Sequence, residues 1–259
     1  MALQNYKLIL QYDGGRYRGW QRLGGGENTI QAKLEGVLSQ LCGAPVEVHG
    51  SGRTDAGVHA LGQVANFKTD VVLTAPQIHE YLRAYLPQDI SVTDVQPVPL
   101  LFHARLSATA KTYLYRIWNS PDPNPFLRKY SMQVPQPLDV AAMQTAATAF
   151  LGEHDFTAFS NAKGKKKSMV REIDTFTIGQ DGPLLTLQVR GNGFLYNMVR
   201  KMVGALLQVG LGQLAAQDIA QLLASGERSG VTILADACGL YLERVEYSKP
   251  PAGRAAPKT

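Results

Sequence analysis

At 259 residues and 45% hydrophobic content, the chain carries enough apolar material for one large domain or two modest ones without disulfide or metal staples. Its net charge of +5 and pI of about 9.1 favour a polyanionic partner, because clustered Lys and Arg displace counterions from phosphates. Two cysteines, Cys42 and Cys238, with no CxxC and no zinc spacing, argue against a disulfide framework or a metal. No run reaches the roughly 18 apolar residues that span a bilayer, so the expectation is a cytoplasmic protein without membrane contact.

Tyr6, Leu8, Leu10 and Tyr12 alternate as a strand does, and a Gly-rich loop follows from Asp13 to Gly26. Asn28 with Gln31 resembles a capping box opening a helix whose inner face carries Ile30, Leu34, Val37, Leu38 and Leu41. Strands are expected at Val46 to Ser51 and Val58 to Thr69. A helix capped by Thr74 comes next, with Ile78, Leu82 and Tyr85 inward, then a strand through Ile90, Val92 and Val95. The order β-α-β-β-α-β is a ferredoxin-like unit. The remainder repeats it: a strand at Thr112 to Asn119, a Pro-rich connector, and a helix from Asp139 with Val140, Met143, Ala147, Phe150 and Leu151 inward. Strands at Ile173 to Ile178 and Leu184 to Val189 precede a helix from Phe194 to Val209, a further helix near Asp218 to Ala224, and a closing strand at Leu240 to Tyr247. The expected fold is α/β (α+β), two ferredoxin-like (RRM-like) halves at 1–106 and 107–248 whose antiparallel sheets adjoin around a central basic cleft. The last residues, 249–259, lack the apolar content to pack and read as a disordered tail.

Gly50-Ser51-Gly52-Arg53-Thr54-Asp55-Ala56-Gly57-Val58-His59 sets three glycines, an arginine and an aspartate between two predicted strands. Glycines permit a turn that presents Arg53 and Asp55 from a rigid sheet. A hairpin in which Asp55 merely bonds local amides fits the same residues. Arg200 reads equally as a solvated flank of the apolar stripe Met198, Met202 and Leu206. Lys163, Lys165, Lys166 and Lys167 form a cationic loop that reads as a solvated face or a phosphate contact. Gly210 to Ala215 fits GxGxxA but follows a helix, which argues against dinucleotide binding.

Taken together, Tyr12-Asp13-Gly14, Gly19-Trp20-Gln21-Arg22, Gly52 to His59 and Gly62-Gln63-Val64 resemble the tRNA pseudouridine synthase A family. Phe102-His103-Ala104-Arg105, Ala110-Lys111-Thr112-Tyr113, Asp155-Phe156-Thr157, Met198-Val199-Arg200 and Gly239-Leu240-Tyr241-Leu242 continue the resemblance in order, from about Tyr6 to Tyr247. It implies cofactor-free and metal-free isomerisation of uridine in the anticodon stem-loop of tRNA by a homodimer. The same chemistry on another RNA, or an RNA-binding module without chemistry, are the alternatives. By this resemblance Asp55 is the catalytic carboxylate, acting as nucleophile towards ribose C1′ or as base towards the C2′ proton, with Arg200 as the partner that lowers its pKa. Tyr113 would stack on the flipped uracil and Leu240 would lie beside it. Arg53 would assist flipping, and His103, Arg105 and the four loop lysines would grip tRNA. Where some relatives carry basic residues after Trp118-Asn119, this chain has Ser120-Pro121-Asp122-Pro123.

Overall fold

A computed structural model describes residues 2–26, 28–161, 168–228 and 233–248. The elements run β1 (Gln4–Tyr12), α1 (Ile30–Cys42), β2 (Val48–Gly50), β3 (His59–Thr69), α2 (Ala75–Tyr85) and β4 (Ile90–Val98) through the first half. They continue as β5 (Ala108–Asn119), β6 (Met132–Val134), α3 (Val140–Ala147), β7 (Gly152–Asp155), β8 (Val170–Asp181), β9 (Leu184–Gly191), α4 (Met198–Gly210), α5 (Asp218–Ser225) and β10 (Leu240–Tyr247).

Ten strands form one sheet in the order β4-β1-β3-β10-β5-β9-β8-β7, with β2 on β3 and β6 on β5. Around the first half the order β4-β1-β3-β2 is that of a ferredoxin-like sheet; around the second, β10-β5-β9-β8 repeats it, with β7 added at the edge. The halves meet where β10 runs parallel to β3, through Tyr241 opposite His59 and Leu242 opposite Ala60. All other pairings described are antiparallel except the short β5–β6 contact.

Strand alternation decides which side chains face the helices. Partners Tyr12, Ala60, Leu242, Tyr113, Val189 and Phe176 form a row across the sheet from β1 to β8. Every member is buried, and one core cluster, which also takes Ile30, Leu34, Ile78, Met143, Met202 and Leu206 from the helices, includes all six. The next row, Leu240, Tyr115, Leu187 and Ile178, is equally buried.

Several local readings need correction. The cap of α1 is Thr29, whose side chain accepts from the Ala32 amide, while Asn28 donates to the Arg16 carbonyl. Gln31 is buried and donates to Glu35 and the Val48 carbonyl, fastening α1 to β2 rather than closing a capping box. Thr74 does close one with Gln77. Tyr85 and Leu151, expected inward, are exposed, because each lies at the end of its helical segment beyond the sheet's cover. Helix α4 begins at Met198, not Phe194.

Candidate active site

Asp55 is carried by the turn between β2 and β3, and that turn is braced from three sides. Gln63 on β3 accepts from the Ser51 hydroxyl at 2.7 Å and donates to the Gly52 carbonyl at 2.9 Å. Tyr12, the β1 member of the central row, shares a 2.9 Å hydrogen bond with the Thr54 hydroxyl. The Trp20 amide donates to the Thr54 carbonyl at 3.0 Å, and the Val58 amide to the Asp55 carbonyl at 3.1 Å. Gly19 makes the approach possible: its φ is +87°, and a Cβ there would stand 2.6 Å from the Thr54 carbonyl oxygen. Asp55 therefore sits on a rigid turn, with its side chain only 24% exposed.

Arg200 enters from the second half. Its Nη1 lies 3.6 Å from Asp55 Oδ2, and its Nε donates to the Ala235 carbonyl at 2.6 Å. The Ala235 amide donates in turn to the Arg200 carbonyl at 3.2 Å, so backbone and side chain are both tied to this segment. Gly204, one turn on, permits the contact, since a Cβ there would be 1.9 Å from the Ile233 carbonyl oxygen. The solvated-flank reading of Arg200 fails because α4 is buried nearly all round, including Lys201 and Gln208. Its N-cap, Asn197, holds φ +61°, and its Oδ1 is buried without a hydrogen-bond partner. An unrelieved backbone conformation and an unsatisfied polar atom three residues from Arg200 mark a place where stability yields to function.

Burial raises the pKa of Asp55 above its ordinary value, against the pull of Arg200 by charge and hydrogen bond. The expectation of a lowered value is thereby corrected: with both side chains largely withdrawn from water, desolvation outweighs the pair. Tyr113 shares the central row with Tyr12 and is 8% exposed, with Phe194 in edge contact at 5.0 Å between ring centres. Its phenol is pushed upward first by burial and then by the charges of Tyr12 and Asp55. Leu240 is buried opposite Tyr115. Tyr115 donates to the Asp236 carbonyl at 2.8 Å, anchoring the segment that holds Arg200.

The other residues singled out lie further out. Arg53 donates from Nε to Gln21 Oε1 at 2.8 Å. His103 stacks on His49 at 4.9 Å, and Arg105 is exposed beside it. Lys163, Lys165, Lys166 and Lys167, and the tail at 249–259, lie outside the described residues. Tyr12, Gln63, Phe194 and Ala235 had no assigned role in the sequence; Tyr12 and Gln63 lay within quoted motifs, but a carbonyl such as that of Ala235 leaves no mark in side-chain pattern. Among the described residues no three His, Cys, Asp or Glu side chains converge as metal ligands would, and no helix is long and apolar enough to cross a membrane. Open hollows of about 610 and 400 Å³ elsewhere on the surface do not include Asp55 in their walls.

An ionisable carboxylate on a rigid turn, a guanidinium brought by the other half and an aromatic ring in the central row of the sheet suit attack on an electron-poor sugar carbon beside a stacked base. The model of the family described as tRNA pseudouridine synthase matches residues 8–107 and 146–248. A tRNA pseudouridine synthase A 2 of Bacillus anthracis is 56% identical over 95% of this chain and all of that protein. A tRNA pseudouridine synthase A of Geobacter sp. (strain M21) is 43% identical over 95% of this chain and 99% of its own length. A solved Cbf5-Nop10-Gar1 complex aligns at 12% identity and TM-score 0.33, over 79% of this chain and 54% of that one, too distant to inform the site. The chain belongs to the tRNA pseudouridine synthase family, isomerases that convert uridine to pseudouridine.

Proposed function

We propose that this isomerisation is carried by Asp55 and acts on uridines of the tRNA anticodon stem-loop. The observation that carries the reading is the 3.6 Å approach of Arg200 to Asp55, made by two segments 145 positions apart that have no structural need to meet at a half-buried charge pair. In the reaction the bond from C1′ to uracil N1 breaks and the base departs with the electron pair. The base turns, and a bond from C1′ to C5 forms as the C5 proton is lost and N1 gains one. Asp55 stabilises the sugar between these steps, by bonding C1′ or by taking the C2′ proton. Arg200 offsets the cost of ionising Asp55 in its desolvated place. Tyr113 offers its remaining ring surface to the uracil, with Leu240 as apolar wall behind it. Arg53, two residues before Asp55 and hydrogen-bonded through its side chain to Gln21, is suited to filling the place a flipped base leaves. His103, Arg105 and the lysines at 163, 165, 166 and 167 contact tRNA in this reading, which also takes the enzyme to be a cytoplasmic homodimer.

The test is pseudouridine formation by Asp55→Asn on unmodified tRNA, mapped by position. The expected result is binding near the parental affinity with a rate lowered about 10⁴-fold or more, as for loss of an essential carboxylate. Modification at the parental rate would sink the assignment, and modification confined to sites outside the anticodon arm would sink the choice of substrate region.

A further inference from the structure

Lys111, two residues before Tyr113 on β5, shares its face of the sheet and lies opposite Gly191 on β9. At about 3.3 Å per residue it stands roughly 6.6 Å along the strand from Tyr113. Its Nζ donates to the Ser51 carbonyl at 2.8 Å, within the turn that carries Asp55, and a Cβ on Gly52 would come 3.0 Å from it. One of three ammonium donors is used there, which leaves capacity for an anion. Arg171, at the start of β8, is two residues before Ile173, the β8 partner of Gly191. It spends Nη1 on the Ser168 and Val170 carbonyls and passes 3.4 Å from where a Cβ on Gly193 would lie.

No carboxylate balances these cations. Among the described residues the ion pairs to carboxylates use Arg16, Arg22, Arg190, Arg200 and Arg244, and none uses Arg105, Lys111 or Arg171. The contrast with Arg190 is direct: it is the β9 neighbour of Gly191, points to the opposite face, and is held by both Asp174 and Glu246. Lys111 is moreover pushed down to about 8, by burial first and then by Arg105 and Arg171. Burying a cation beside two others without a counter-charge costs stability, and the cost is recovered when an anion arrives.

We propose that Lys111 and Arg171 form a phosphate-binding site that fixes the RNA backbone next to the target nucleotide. The proposal rests on the RNA-modifying function above and adds positioning residues to it. The anion is a phosphodiester of the bound RNA: Lys111 stands one pleat from the ring that would receive the base, on the side from which the backbone of a flipped nucleotide can be held. By anchoring to the Ser51 carbonyl, Lys111 links that phosphate mechanically to the Asp55 turn.

The test measures binding of an unmodified tRNA transcript across a range of KCl concentrations, together with KM and kcat for pseudouridine formation, in Lys111→Met, Arg171→Gln and Lys111→Arg. Losing one phosphate contact should flatten the slope of log affinity against log salt by about 1. KM should rise about tenfold in Lys111→Met and Arg171→Gln, with kcat within about threefold of parental in Arg171→Gln and Lys111→Arg restoring most of the salt slope. If Lys111→Met does not fold, Arg171→Gln decides alone, since its side chain braces no part of the Asp55 turn. An unchanged salt slope in Arg171→Gln and in any folded Lys111 variant, with losses confined to kcat or melting temperature, overturns the phosphate site. A parental enzyme that binds tRNA with the expected slope but forms no pseudouridine would instead overturn the catalytic reading and leave this one standing.

Discussion

Asp55 is held in its acid form more readily than a free aspartate, because its surroundings take away water faster than Arg200 returns charge. The proposed mechanism needs the carboxylate, so kcat/KM should climb with pH through a limb above the ordinary aspartate value of 3.8. Arg200→Gln removes the two influences that pull the pKa down and leaves burial unopposed. Its limb should therefore move to still higher pH, and its plateau should fall about 10²-fold to 10³-fold, as for loss of one aligned charge. A pH–rate profile with both limbs superimposed would rule out the coupling. The same shift has a stability consequence of fixed sign. A folded pKa above the unfolded one favours the fold below the unfolded value, and that benefit is lost as pH rises through the folded value. Asp55→Asn should accordingly melt at or above the parent at pH 7, with the difference closing as the pH falls below about 3.8. Calorimetry at both pH values checks this. The position of Asp55 was legible in the sequence because glycines, Arg53 and a β-turn-β pattern surround it. The direction of its pKa was not, since it depends on how far the folded turn withdraws the carboxylate from water against the pull of Arg200, and periodicity carries no measure of that.

Helix α4 shows what an element adds to a residue. Its apolar spacing reads as an amphipathic helix with one wet side, yet the 233–236 segment lies against that side and leaves Arg200 as a lining group. The sign of this in the sequence is Gly204, a weak helix former placed where only backbone can be met. Gly204→Ala gains roughly 1 kcal/mol of helix propensity and loses about 1 to 3 kcal/mol by overpacking against the Ile233 carbonyl. The expected outcome is a modestly lowered melting temperature with a larger fall in kcat, because the displaced segment releases Arg200 through Ala235. Equal kcat in a less stable variant would separate the segment from the site. Elements with their own periodicity, such as β1, β3, β5 and α2, were readable from sequence alone. The three-residue strand β2 was read too long, as Val46 to Ser51, and β6 was not read at all, because their pairing is set by neighbours rather than by their own residues.

At the scale of the whole molecule, the two halves share one sheet and one core, so they should unfold together. The chain has two tryptophans, Trp20 in the first half and Trp118 in the second, which give each half its own fluorescent reporter. Trp20→Phe and Trp118→Phe, each followed through the remaining tryptophan, should give single transitions that coincide with the loss of helical circular dichroism. Two separated transitions would show halves that melt independently. The internal repetition was visible in the sequence, whereas the parallel seam of β3 and β10 was not, since two residue pairs 182 positions apart leave no local signature. That seam governs how the protein is made. β10 is the last of the described strands to leave the ribosome, yet it belongs in the middle of the sheet, between β3 and β5. Until it arrives, both inner edges stay open and Leu240 has no wall to form. A nascent chain thus holds the Asp55 turn before the sheet around it is complete, and its open strand edges are exposed to pairing with other chains until β10 is made.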